Sequence, residues 1–148
     1  MILFAGLLFT ILYTAFVGLI GGELAWYIDA ASFFFVLVPL IFFLFITKNG
    51  KSIYGYIKSS FRKDYVFSEG ELEIIARAAG NAMRIILAAG GFSSLIGLVI
   101  TLRRLDDPQI LGPYLSVMIT SLLYSIGLAY FVFFPLKVWA EKKMKASE

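Results

Sequence analysis

The sequence predicts an all-α membrane protein with four transmembrane helices. Of its 148 residues, 60% are hydrophobic and 16% are charged, whereas a soluble domain is about 45–50% apolar and about 25% charged. Long apolar runs, close to the roughly 20 residues that a spanning helix needs, recur along the chain. Polar and apolar residues do not alternate in these runs, as they would in the strands of an outer-membrane barrel.

Charged and turn-forming residues mark the ends of the four predicted spans. We expect spans at residues 1–20, 30–47, 82–102 and 114–138, within a single domain of residues 1–148. The first has no Lys or Arg before its apolar run, so we expect it to be retained and not cleaved as a signal peptide. The second contains Pro39, which a buried membrane helix can tolerate.

The basic residues predict the orientation. Eleven of the thirteen Lys and Arg residues lie between the second and third spans or at the end of the fourth, where Lys137 is counted as a snorkelling end residue. Only Arg103 and Arg104 lie on the opposite side. By the positive-inside rule, both termini and the segment of residues 48–81 are then cytoplasmic.

The cytoplasmic segment carries two helical patterns. Ile53, Ile57 and Phe61 recur every four residues beside basic residues, which predicts a basic amphipathic helix suited to an anionic membrane surface. Further on, Ser68 and Glu71 have the spacing of a capping box. A helix that starts there can continue into the third span, with Gly80 as its weak point.

Small and hydroxyl-bearing residues follow one face of the third span, at Gly90, Ser94, Gly97 and Thr101, and a similar stripe in the fourth includes Ser121. Such stripes allow close helix packing in lipid, and their hydroxyls can also line a path for ions or water.

Pro135 lies inside the fourth span, where it removes the hydrogen bond to Phe131 and is expected to kink the helix. The kink could form an ion exit, or it could only shape the packing of the helix.

The chain lacks residue types on which many enzymes depend. It has no Cys and no His, which excludes thiol nucleophiles and removes the commonest general base and metal ligand. We therefore expect no enzymatic activity, no metal site and no cofactor. No Asp, Glu or Lys lies deep in a predicted span, so a conducting protein would need a carboxylate from another chain.

Several short motifs resemble the MotA/TolQ/ExbB proton-channel family, most closely its MotA branch. They are Ser94 before Leu-Ile-Gly-Leu, Asp106-Asp107-Pro108, Gly112-Pro113, the group Thr120, Ser121 and Tyr124, and Pro135 with Lys137. Between the first two spans, Gly21-Gly22, Ile28-Asp29, Ser32 and Val36 resemble the corresponding link in MotA. The cytoplasmic segment of residues 48–81 is much shorter than that of flagellar MotA.

The resemblance implies a homopentamer in the bacterial inner membrane around a dimer of single-span partners of the MotB, ExbD or TolR type. Each partner carries an essential membrane Asp, and flow of H⁺ or Na⁺ drives rotation or movement of the partner complex. Ser94 and Ser121 stand where the family has pore-facing threonines, with Thr120 and Tyr124 as secondary candidates, while Gly90, Gly97 and Pro135 are expected to serve packing and the kink.

Two alternatives stay open beside this stator-like channel subunit. A non-conducting four-helix protein could assemble other membrane components. A self-sufficient transporter is less favoured, because the spans lack charged or discontinuous sites at the midplane. In every case the expected surroundings are the lipid bilayer and other membrane proteins, not nucleic acid.

Overall fold

The computed structural model describes residues 2–21, 29–46, 49–60, 66–106 and 108–146, and all regular structure within them is helical. The elements are α1 (Ile2–Gly21), α2 (Ala30–Ile46), α3 (Asn49–Ser60), α4 (Glu69–Leu102), α5 (Pro108–Gly127), a π-helix (Leu128–Phe133) and α6 (Phe134–Lys145). Two segments, Glu69–Leu102 and Leu111–Lys145, are long and apolar enough to cross a membrane, and α2 is a shorter apolar helix.

The capping box predicted at the start of α4 is confirmed. The Ser68 hydroxyl accepts from the backbone N–H of Glu71, and the Glu71 carboxylate accepts from the backbone N–H of Ser68. From there α4 continues for 34 residues without a break at Gly80. At 1.5 Å per residue it is about 51 Å long, so residues 69–81 of the segment predicted to be cytoplasmic share one helix with the third predicted span.

The fourth predicted span also belongs to a longer helical run. It begins at Pro108, ahead of the boundary expected at residue 114, because Pro is well suited to the first turn of a helix, where its missing N–H has no partner to lose. Just before Pro135 the run widens into the π-helix, in which the Phe134 N–H donates to Ala129. Pro135 has no N–H to donate, and the change of helix type lies next to it.

The centre of the fold is an antiparallel hairpin of α4 and α5. Gly90 faces Ser125, and Gly97 faces Met118. Because the later residue of α4 meets the earlier residue of α5, the two helices run antiparallel. Helix α2 packs against both members of this hairpin and buries Ser32, Val36 and Leu40. Helix α1 packs on the π-helix.

The outward faces of α1 and α2 are apolar and exposed. Phe16, Phe34 and Phe45 are 62%, 62% and 84% exposed. On the inner side of α1, Gly6 faces the backbone carbonyl of Phe131. Because a side chain at Gly6 would collide with that carbonyl, glycine is required for the close approach of α1.

Helix α3 uses its apolar face inside the protein. Ile53 and Tyr56 are buried. The centroid of the Tyr56 ring lies 4.9 Å from that of Trp139 on α6 and 5.9 Å from that of Phe67. From the sequence we expected the apolar stripe that begins at Ile53 to lie against the membrane surface. In the structure Ile53 packs in the core of the chain. The third member of that stripe, Phe61, lies outside the described residues.

Candidate functional site

Two glycines bring α4 and α5 close together. A Cβ atom on Gly90 would overlap the side chain of Ser125, and a Cβ on Gly97 would lie 3.0 Å from the Cβ of Met118. Both glycines are buried. The backbone of α4 therefore runs close enough to α5 for its side chains to hydrogen-bond with carbonyl groups of α5.

Three serine hydroxyls meet two of these carbonyls. The Ser94 hydroxyl on α4 donates to the carbonyl of Met118 at 2.7 Å. The Ser121 hydroxyl lies 2.9 Å from the carbonyl of Val117 and 3.0 Å from that of Met118. From α2, the Ser32 hydroxyl lies 3.0 Å from the same Val117 carbonyl. These contacts join three helices through shared acceptors.

The carboxylate of Asp29 completes this arrangement. Its Oδ2 accepts from the backbone N–H of Ser32 at 2.7 Å and also from the Ser32 hydroxyl, so Asp29 caps the start of α2. The Asp29 backbone N–H donates to the Tyr124 hydroxyl at 3.0 Å. We call the group formed by Asp29, Ser32, Ser94 and Ser121, with the carbonyls of Val117 and Met118, the serine network.

Asp29 is held in its charged form. Burial raises the pKa of its carboxyl, but the hydrogen bonds from the Ser32 side chain and from the backbone of Ser32 and Ala31 outweigh burial and hold the pKa below its ordinary value. These bonds favour the ionised carboxylate because they are donated to its oxygens.

The structure brings together three of the four residues predicted for an ion path. Ser94 and Ser121 share the Met118 carbonyl, and Tyr124 joins them through Asp29. Thr120 is buried on α5, but it is not one of the groups that the network connects. Ser94 and Ser121 are 8% and 0% exposed, so within a single chain both side chains are buried. Their role in ion movement stays a prediction.

Sequence reasoning missed Asp29 and Ser32 as site residues. Their spacing, Asp followed three positions later by Ser at the start of an apolar run, is the signal of a helix N-cap and could have identified the hydrogen bond between them. This spacing could not show that Asp29 and Ser32 contact residues of α5. Val117 lies nine residues beyond Pro108, which is about 14 Å along α5. The structure thus places a carboxylate of this chain beside the apolar hairpin, where we had expected none.

The other candidate features of the described residues offer no ion site. No group of three or more Asp or Glu residues there is placed to hold a metal ion. An open groove of about 350 Å³ on the outer face of α2 has only apolar lining residues: Ala31, Phe34, Phe35, Val38 and Pro39. The serine network is therefore the polar feature on which the candidate site is built.

Comparison with known proteins gives two partial matches. Over 59 residues, 40% of this chain and 22% of the relative, the chain is 37% identical to the uncharacterized protein YtxD of Bacillus subtilis (strain 168). Over 49 residues, 33% of this chain and 19% of the relative, it is 41% identical to the chemotaxis protein PomA of Vibrio alginolyticus. The chain thus matches about a fifth of the length of each relative.

No family model matches the chain, and no solved structure matches it. The partial similarity to PomA hints at the MotA family and at a stator-like role. The matched stretch is too short to fix the branch.

Proposed function

We propose that this chain is the channel subunit of a stator-like, ion-driven complex in the bacterial inner membrane. It works with a single-span partner whose membrane segment carries an Asp, and flow of H⁺ or Na⁺ between the two drives movement of a partner complex. Three things support this proposal: the motifs that resemble the MotA branch, the partial similarity to PomA and the serine network.

The serine network carries the proposal. Polar groups are costly to bury in apolar surroundings, and those found in membrane helices commonly belong to functional sites. This network contains only oxygen groups that can bind a proton or a hard cation: a carboxylate, three hydroxyls and two carbonyls. Ser32 and Ser121 each have a single hydroxyl proton but lie within reach of two acceptors, so each hydroxyl can donate in either of two directions.

The proposed assembly is a homopentamer around two partner helices, with four spans per subunit and both termini in the cytoplasm. Exposed apolar side chains on α4 and α5, among them Leu95, Ile119 and Ile126, need a cover of lipid or protein in the membrane. In the proposed topology the start of α2 faces away from the cytoplasm. The Asp29 carboxylate caps that end of α2.

Ion flux in proteoliposomes tests the proposal. The chain is co-purified with a single-span partner bearing a membrane Asp, and H⁺ or Na⁺ uptake is followed under an imposed membrane potential. Ser121→Ala should lower the flux several-fold while assembly survives, because it removes a hydroxyl and adds no bulk. Ser116→Ala is the matched control on the same helix, since Ser116 is exposed, and Phe34→Leu is the control on the outer face of α2.

Equal flux for Ser121→Ala and the controls would show that the network takes no part in conduction. A non-conducting assembly protein is the second candidate, because each hydroxyl of the network already donates to an acceptor within the chain. Absence of flux with every partner, together with a stable complex, would favour it.

A further inference from the structure

The cytoplasmic helix α3 begins very close to the end of α2. Only residues 47 and 48 separate Ile46, the last residue of α2, from Asn49, the first of α3. If α2 crosses the membrane, as the proposed topology requires, α3 starts at the cytoplasmic surface of the bilayer. The helix contains Lys51 and Lys58 and has no Asp or Glu.

The face of α3 that packs inside the protein is occupied. Ile53 and Tyr56 are 8% and 3% exposed, and the Tyr56 ring contacts those of Trp139 and Phe67. Because the helix is anchored by this cluster, it does not need to insert its apolar side into lipid, as a free amphipathic helix would.

The opposite face of α3 is basic and exposed. Lys51, Tyr54 and Lys58 follow the spacing i, i+3, i+7, which places them on one side of a helix. Both lysines are exposed, and Tyr54 is 67% exposed. The two lysine Cα atoms are about 10 Å apart along the axis, seven residues at 1.5 Å each. We call these three residues the lysine face.

Three carboxylates on the helices packed near α3 are engaged elsewhere. On α4, Glu73 lies 2.5 Å from Arg77, and Glu71 belongs to the capping box. On α6, Glu141 pairs with Lys137 at 3.6 Å. The charge of the lysine face is therefore not matched by a carboxylate of α3 itself or by these three.

We propose that the lysine face binds the headgroups of anionic phospholipids in the cytoplasmic leaflet. The Lys51 and Lys58 ammonium groups contact lipid phosphates, and the Tyr54 ring lies at the headgroup level, where aromatic residues concentrate in membrane proteins. Attraction of one lysine to an anionic membrane surface corresponds to about a fivefold gain in affinity. This inference rests on the topology in the proposed function, but it does not require conduction.

Lipid binding to the full chain tests this inference. The protein in a neutral detergent is titrated with phosphatidylglycerol or phosphatidylcholine, and bound lipid is counted by native mass spectrometry. The double variant Lys51→Gln/Lys58→Gln should lose about 25-fold in phosphatidylglycerol affinity, because each of the two lysines contributes about fivefold. Its phosphatidylcholine binding should not change. Far-UV circular dichroism checks that α3 stays helical.

The matched control is Lys142→Gln/Lys145→Gln, which removes the same charge from exposed positions in the last turn of α6. Trp139 lies beside α3, so these lysines are about one to two turns beyond it. Their variant should bind phosphatidylglycerol within about twofold of the unmodified chain. Equal losses in both double variants would indicate unspecific attraction by net charge and overturn the proposal, as would no loss in either. Because the assay involves no ion flux, a non-conducting protein that keeps this lipid preference would refute the proposed function alone.

Discussion

Replacing Gly90 with Ala would place a methyl group in a very tight contact between α4 and α5. The new Cβ would overlap both side-chain atoms of Ser125 and would lie 3.1 Å from the backbone oxygen of Ser121. Ser125 is fully buried, and its hydroxyl donates to the carbonyl of Leu122 at 2.9 Å. Since the Ser125 Cβ is fixed to the backbone, rotating its hydroxyl cannot relieve the overlap, and the helices must move apart.

The size of the effect follows from two opposing terms. Ala is favoured over Gly inside a helix by about 1 kcal/mol, whereas an extra methyl group in a packed interior costs about 1–3 kcal/mol. Gly91→Ala has only the first term, because a methyl group at that position would have no neighbouring side chain or helix within 4 Å. The difference in unfolding free energy between these two variants should therefore be about 1–3 kcal/mol. Gly97→Ala should fall between them, since its Cβ would lie 3.0 Å from that of Met118.

Unfolding in mixed micelles, followed by circular dichroism against the fraction of denaturing detergent, measures these differences. The double variant Gly90→Ala/Ser125→Gly should recover much of the lost stability, because it removes the Cβ that the new methyl group overlaps. If Gly90→Ala is as stable as Gly91→Ala, the two helices are further apart than the contact between Gly90 and Ser125 requires, and the hydrogen bond between Ser94 and Met118 loses its geometric basis as well.

Three further predictions concern other parts of the chain. Ser68→Ala removes the capping box and should lower stability by about 1 kcal/mol, seen as faster hydrogen exchange in the first turn of α4. Trp139→Ala removes one of the two aromatic pairs that Tyr56 makes, each worth about 0.5–1.5 kcal/mol. Because α3 is then held less firmly, tryptic cleavage at Lys58 should be faster. The pKa of Asp29 is lowered in the fold, so its charge stabilises the protein above the ordinary pKa of about 3.9 and this contribution is lost as the pH falls through the folded pKa. The melting temperature should fall more steeply at such acidic pH for the unmodified chain than for Asp29→Asn.

Features encoded locally could be predicted from the sequence. The capping box depends on two residues three positions apart, so Ser68 and Glu71 were sufficient to place the start of α4. The continuity of α4 through Gly80 follows from the helix-forming residues on both sides. The long apolar helices could also be predicted, because an apolar run of about 20 residues indicates a membrane helix whichever helices it packs against.

Features that depend on the register between helices could not be predicted. Asp29 and Tyr124 are 95 positions apart in the sequence, and their contact requires α2 to start well below the tip of the α4–α5 hairpin. In the same way, the period of α3 predicts an apolar face, but what covers that face depends on where Trp139 of α6 lies. Pro135 alone predicts a disturbed helix from the sequence. The π-helix beside it also packs against α1 at Gly6, and this contact could not be predicted from the sequence.

The small residues and the hydroxyls of the two stripes serve the same contact, so the packing and ion-path interpretations do not exclude each other. Gly97 allows α4 to approach Met118, whose carbonyl accepts from Ser94. Gly90 allows the approach about two turns from Gly97, beside Ser121. A glycine substitution therefore changes both the helix separation and the hydrogen bonds, and a loss of flux in such a variant would not identify an ion path. Ser121→Ala keeps the separation and removes only the hydroxyl, and for this reason it can distinguish conduction through the network from its role in holding three helices together.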